Sequence, residues 1–187
     1  RRGRLDGVVG LVFGGIGVLI GGTFPGARNL ISGNGDGIVT GGNSLGTINL
    51  AQGNFIGTDV TGMLDLGNTL NGIHVSGGQG SNFQIGGNTP ETRNLISGND
   101  QNGVLIENST TLNRPTRVFG NYIGTDAAGT GRLGNGLHGV SISNANLSSV
   151  GFSTAGSGNV ISSNGGAGVK ISNAFSTGTL MQGNYIG

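Results

Sequence analysis

The string Arg28-Asn29-Leu30-Ile31-Ser32-Gly33-Asn34 returns letter for letter as Arg93-Asn94-Leu95-Ile96-Ser97-Gly98-Asn99, 65 residues later. A weaker third copy, Gly158-Asn159-Val160-Ile161-Ser162-Ser163-Asn164, follows after the same interval. Ile20-Gly21-Gly22 recurs as Ile85-Gly86-Gly87, again 65 on. Gly53-Asn54-Phe55-Ile56-Gly57-Thr58-Asp59 recurs as Gly120-Asn121-Tyr122-Ile123-Gly124-Thr125-Asp126, and Gly183-Asn184-Tyr185-Ile186-Gly187 opens a third copy. A fixed period of this kind is the mark of a repeat architecture, in which neighbouring units bury a core that one unit cannot bury alone. The period runs through the whole chain, so residues 1–187 are expected to form a single domain, a segment of a longer array.

Each 65-residue period holds two similar halves. One reads Asn29-Leu30-Ile31, a Gly/Asn turn, Gly37-Ile38-Val39, a second turn, and Ile48-Asn49-Leu50. The next reads Asn54-Phe55-Ile56, a long loop, Gly72-Ile73-His74-Val75, a turn, and Phe83-Gln84-Ile85. These runs are too short for helices and lack a 3.6-residue period, but they suit strands bounded by turn residues. Three strands per coil, about six coils and parallel stacking at about 4.8 Å give an all-β fold, the parallel β-helix or solenoid. Gly and Pro together are about a quarter of the chain. Without a period that fraction would signal low complexity; with one, it supplies the corners.

Alternation within the runs predicts the core. Ile73 and Val75, Val104 and Ile106, Val140 and Ile142, and Val169 and Ile171 point inward, while His74, Leu105, Ser141 and Lys170 point outward. Asn29, Asn54, Asn94, Asn121, Asn159 and Asn184 fall once per coil at equivalent places, where stacked amides can satisfy one another and cap free backbone groups. With those Asn and the Ile two places on facing inward, the residue between faces out. That gives a stripe of Leu30, Phe55, Leu95, Tyr122, Val160 and Tyr185, a candidate partner or glycan surface. Loops after Asp59 and Asp126 folding over the stripe is the other reading. Arg28 and Arg93 flank it, placed either for acidic glycans or for loop carbonyls.

Composition excludes several classes. The net charge is +1, which leaves little to attract phosphate, so nucleic acid is not an expected partner. The chain has no Cys, hence no disulfide, thiolate site or Cys nucleophile. Arg1, Arg2 and Arg4 followed by an apolar Gly-rich run resemble a targeting segment or membrane span. The repeat accounts for the run better, because Gly7-Val8-Val9 precedes Gly72-Ile73-His74 by the same 65 residues. No membrane insertion is therefore expected.

The succession Asn-Leu-Ile-Ser-Gly-Asn, Gly-Ile or Gly-Val, and Gly-Asn-Tyr-Ile-Gly-Thr-Asp with a Gly-rich loop resembles tandem repeats of bacterial secreted and cell-surface proteins. These belong to the pectin-lyase-like, right-handed parallel β-helix superfamily. The resemblance implies a right-handed solenoid and an extracellular or cell-surface location. It does not select a function, since the superfamily spans polysaccharide lyases, hydrolases, epimerases, tailspikes and non-catalytic adhesive arrays.

Lyases of that architecture are implied to use a Ca²⁺-holding carboxylate cluster. Here Asp59 and Asp126 are repeat equivalents two coils apart, roughly 10 Å, too far to share an ion. Capping of loop backbone is their simpler role. Asp36 sits in a turn faintly like a Ca²⁺-binding β-roll, yet its copy, Asp100-Gln101-Asn102-Gly103, does not sustain the pattern. No carboxylate pair suits glycoside hydrolysis. His74 and His138 read as solvated outward side chains rather than general bases. Gly129-Thr130-Gly131-Arg132-Leu133-Gly134 matches the dinucleotide fingerprint but opens no helix, so it is a loop. Thr58 and Thr125 recur only in alternate coils, which argues against ice binding.

The expectation is a non-catalytic extracellular structural or adhesive element, a stalk or filament unit stacking end to end with other copies or flanking repeats, with no cofactor or metal. The alternative is a carbohydrate-active enzyme or a polysaccharide-binding β-helix.

Overall fold

Three short apolar runs per coil become three short strands per coil. The computed structural model describes residues 10–15, 17–41, 47–77, 82–109, 115–174 and 176–187. In chain order the first coil carries β1 (Leu11–Phe13), β2 (Leu19–Gly21) and β3 (Leu30–Ile31), and the second β4 (Ile38–Thr40), β5 (Asn49–Gln52) and β6 (Phe55–Ile56). The third holds β7 (Ile73–Ser76), β8 (Phe83–Gly86) and β9 (Leu95–Ile96), and the fourth β10 (Val104–Glu107), β11 (Arg117–Phe119) and β12 (Tyr122–Ile123). The fifth holds β13 (Val140–Ser143), β14 (Ser149–Val150) and β15 (Val160–Ile161), and the sixth β16 (Val169–Ser172), β17 (Leu180–Met181) and β18 (Tyr185–Ile186).

Every strand pairs in parallel with its counterpart one coil away, forming three six-stranded sheets and a β-solenoid of about five turns. Sheet A collects β1, β4, β7, β10, β13 and β16; sheet B the six strands from β2 to β17; sheet C the six from β3 to β18.

The core is built from columns of one residue per coil. Ile38, Ile73, Val104 and Val140 stack along sheet A, and Ile56, Ile96, Ile123 and Ile161 along sheet C, all fully buried. Burying each such side chain contributes about 1.5–3 kcal/mol. Val75, Ile106 and Ile142 are buried as expected. In the sixth coil the same columns emerge, with Ile171 44% and Ile186 51% exposed. Ser141 holds the expected outward register, alternating with the buried Val140 and Ile142, yet it is covered. It lies between Leu105 and Lys170 in the sheet and retains only 7% of its surface.

A glycine column precedes sheet A for a steric reason. A Cβ on Gly37, Gly72, Gly103 or Gly139 would stand 2.5–2.7 Å from the carbonyl oxygen of the glycine one coil on. Only a residue without a side chain permits that approach.

The N-terminal apolar run enters the solenoid as strands. Leu11 pairs with Ile38 and Ile20 with Ala51. The register differs from the one the 65-residue shift suggests: Gly10-Leu11-Val12, not Gly7-Val8-Val9, occupies the place one coil before Gly37-Ile38-Val39. Gly7 to Val9 lie outside the described residues. Among the described residues no helix is long and apolar enough to cross a membrane.

Candidate functional site

Sheet C is flanked by two amide columns. At its entry Asn29, Asn54, Asn94, Asn121, Asn159 and Asn184 form a continuous chain. Each Nδ2 donates to the Oδ1 of the next rung at 2.8–3.1 Å, and each backbone N–H donates to that same oxygen. The second Nδ2 hydrogen closes the preceding corner, from Asn54 to the Ile20 carbonyl, Asn94 to Ala51, Asn121 to Ile85, Asn159 to Val118 and Asn184 to Val150. Asn54, Asn94, Asn121 and Asn159 have no exposed surface, so the pairing answers the cost of burying an amide.

Sequence reasoning missed the column at the exit of sheet C. Asn34, Asn68, Asn99, Asn135 and Asn164 repeat the arrangement, Nδ2 to Oδ1, at 2.8–3.1 Å. Asn34, Asn99 and Asn164 close the three copies of the repeated heptapeptide, and that recurrence is the signal by which the column could be found. Asn68 and Asn135 follow the long loops and share with the repeated heptapeptide only the glycine before the asparagine, not its Asn-Leu-Ile-Ser run.

The stripe of Leu30, Phe55, Leu95, Tyr122, Val160 and Tyr185 is in register, each residue paired to the next. Its accessibility is uneven. Leu30 is 47% and Tyr185 75% exposed, whereas Leu95 keeps 2% and the other three are half-buried. The loops after Asp59 and Asp126 explain this. At Gly62 a Cβ would lie 2.7 Å from Leu95 and 3.0 Å from Phe55, and at Gly129 it would lie 2.5 Å from the Tyr122 ring. The loops brace each other, Ala127 N–H donating to the Gly62 carbonyl at 3.0 Å. Arg28 stacks over Phe55 at 4.0 Å and donates through Nε to the Gly53 carbonyl; Arg93 stacks over Tyr122 at 4.2 Å and donates to the Gly120 carbonyl.

The two loop aspartates act as backbone caps. Asp59 accepts from the Thr61 hydroxyl and from the N–H groups of Met63 and Leu64, and Asp126 accepts from Ala128 and Thr130. Hydrogen bonding, chiefly from Thr61 and from the Gly131 N–H respectively, holds both carboxyls below their ordinary range. Thr58 and Thr125 are buried, so they present no outward hydroxyl face.

A third polar column begins sheet A. Asp36 Oδ1 accepts from Asn71 Nδ2 and N–H, both at 2.9 Å, and Asn71 Oδ1 accepts from Asn102 Nδ2 at 2.9 Å. Asn102 Oδ1 accepts from the His138 backbone at 3.3 Å, and His138 Nδ1 accepts from Ala167 N–H at 3.0 Å. Burial, followed by the charge of Lys170, pushes the His138 imidazole down.

Beside this column stands His74, which is not the solvated side chain its outward position suggests. Its Nδ1 lies 3.7 Å from Asp36 Oδ2 and its Nε2 3.0 Å from Glu107 Oε1. The Asp36 carboxylate raises the imidazole pKa against the opposing effect of burial, and Glu107 adds to the rise. Burial alone would raise Asp36, but His74 and the Asn71 donors outweigh it and hold the carboxyl low. With a carboxylate facing each ring nitrogen, the imidazole has no nitrogen directed at solvent for base chemistry. Among the described residues no group of three or more His, Asp or Glu is arranged to hold a metal ion. No protein-family model, characterised protein or solved structure matches this chain.

Proposed function

We propose that this chain is a non-catalytic extracellular element of the right-handed, pectin-lyase-like kind, a stalk, adhesin or filament unit whose coils stack end to end on other copies or on flanking repeats. The observation that carries the reading is the polarity of the amide columns. In the two columns flanking sheet C every Nδ2-to-Oδ1 bond runs the same way, from one rung to the amide of the coil that follows. Along sheet C one face of a coil therefore offers amide donors and the other amide acceptors, while the sheet A column runs in the opposite direction. A surface complementary to its own opposite face makes a head-to-tail contact that does not close, the geometry of a fibre. Exposed strand edges reinforce such pairing.

The test is mass and particle length against concentration, by light scattering and electron microscopy. Rods that lengthen in multiples of one solenoid, and shorten on Ile186→Asp, are expected. A monomer of unchanged length at the highest attainable concentration overturns the reading.

The paired Arg-aromatic stacks favour a second reading, polysaccharide binding along sheet C. Retention on immobilised acidic glycan that Arg28→Ala and Arg93→Ala abolish would support it over the first.

A further inference from the structure

The third polar column departs from asparagine at both ends, and at its start an aspartate takes the place of an asparagine. As a ladder member Asp36 needs only one oxygen: Oδ1 receives both Asn71 donors. Its other oxygen is thereby left to face His74, which in turn faces Glu107 one coil further on. The three side chains belong to three successive coils, on or just before β4, β7 and β10. Their side chains keep 10%, 20% and 35% of their surface, so solvent screens the contacts only in part.

We infer that Asp36, His74 and Glu107 form a proton-operated clasp that ties three adjacent coils along the outer face of sheet A when the imidazole is protonated and releases them when it is neutral.

The surroundings isolate the switch. β4 and β10 are the strands packed against β7. From the coil of β4 come Asp36 and the uncharged Val39; from the coil of β10, Leu105 and Glu107. The next strand presents Ser141 and Ser143, and Lys170 lies one coil beyond. Asp36 and Glu107 are the charges that act on His74. A neutral imidazole offers one N–H and therefore serves one carboxylate, leaving the other without its imidazole donor; an imidazolium serves both.

The signs follow from linkage. The folded-state value of His74 is raised, so its contribution is complete below the ordinary value of 6.5 and is lost as pH rises through the higher folded value. The folded-state value of Asp36 is lowered, so its contribution is present above 3.8 and is lost as pH falls through the depressed value. The clasp is closed between those limits, in mildly acidic to near-neutral solution. Each unit by which His74 exceeds its ordinary value multiplies the folded-to-unfolded ratio by about ten at low pH.

The chain has two histidines, so an NMR titration of the full chain resolves both imidazoles. His74 is expected to titrate above 6.5 and to fall in Asp36→Asn and in Glu107→Gln, with His138 unmoved. Asp36→Asn retains the Oδ1 acceptor for Asn71, and Glu107→Gln alters a partly exposed side chain, so both are designed to fold. Denaturant unfolding between pH 5.5 and 8.5, taken as wild type minus His74→Gln to remove the opposite slope of His138, is expected to show stability decreasing with pH. A His74 value at or below 6.5, a value that neither carboxylate variant moves, or identical pH slopes in wild type and His74→Gln overturns the clasp.

Discussion

The columns flanking sheet C and the column that starts sheet A are built on the same spacing and behave differently. Around sheet C every rung is an asparagine and the interior rungs are buried, so each amide sees the same neighbours above and below. Along sheet A the rungs read Asp36, Asn71, Asn102, His138 and Ala167, and the chain of amide bonds stops at Asn102. Uniformity makes a coil interchangeable with its neighbours, which is what stacking requires. Variation gives individual coils a charge and a proton, which is what local control requires. If the proposed stacking and the proposed clasp both hold, the molecule divides these tasks between two faces instead of compromising both on one.

Removing one rung from each kind of column is the harshest test of that division. Asn121→Ala deletes two donated and two accepted hydrogen bonds and leaves the Asn94 N–H and one of its two Nδ2 hydrogens unpaired in a dry interior. A loss of about 4 kcal/mol is expected. Asn102→Ala deletes one donated and one accepted bond at a site where the column is already ending. There the loss should be about 1–2 kcal/mol. Equal losses in urea unfolding would mean that the columns do not differ in the way described.

Converting one column toward the other should produce a smaller effect of opposite sign. His138→Asn places a donor against Asn102 Oδ1 and keeps an acceptor for the Ala167 N–H that His138 Nδ1 now receives. A gain of about 1 kcal/mol in the same unfolding measurement is expected. No gain, or a loss, would show that the His138 rung is spaced for the imidazole and cannot host an amide.

The sequence reveals most where a residue's neighbours are copies of itself. Parallel stacking puts like on like, so the Asn29-to-Asn184 column and the Ile columns stand out as periodicity in the bare string of residues. The fold class and the three strands per coil follow from the same fact. Asn68 and Asn135 are hidden because long loops displace them from the repeated heptapeptide, although the backbone brings them back into line. The environment of His74 is hidden for another reason: Asp36 and Glu107 reach it from offset positions in neighbouring coils, and no period relates the three. Similarly, the burial of Leu95 depends on a loop from the coil before it, which alternation within a strand cannot report. The register of the first coil slips because turn lengths there differ from those of later coils.

The amide columns also bear on how the chain ages chemically. Asn-Gly is the dipeptide most prone to lose ammonia, because the glycine nitrogen can attack the side-chain carbonyl and form a cyclic imide that reopens as aspartate or its β-linked isomer. In Asn71-Gly72, Asn102-Gly103, Asn135-Gly136 and Asn164-Gly165 that nitrogen instead donates to a backbone carbonyl of the adjacent coil, at 3.0, 2.9, 2.7 and 2.9 Å. The folded solenoid therefore withholds the nucleophile, and conversion at these four sites, read by peptide mass mapping, should accumulate only during time spent unwound. An acid formed there lacks the amide hydrogens its rung must donate, so each excursion would leave a lasting mark on the coil's ability to close again.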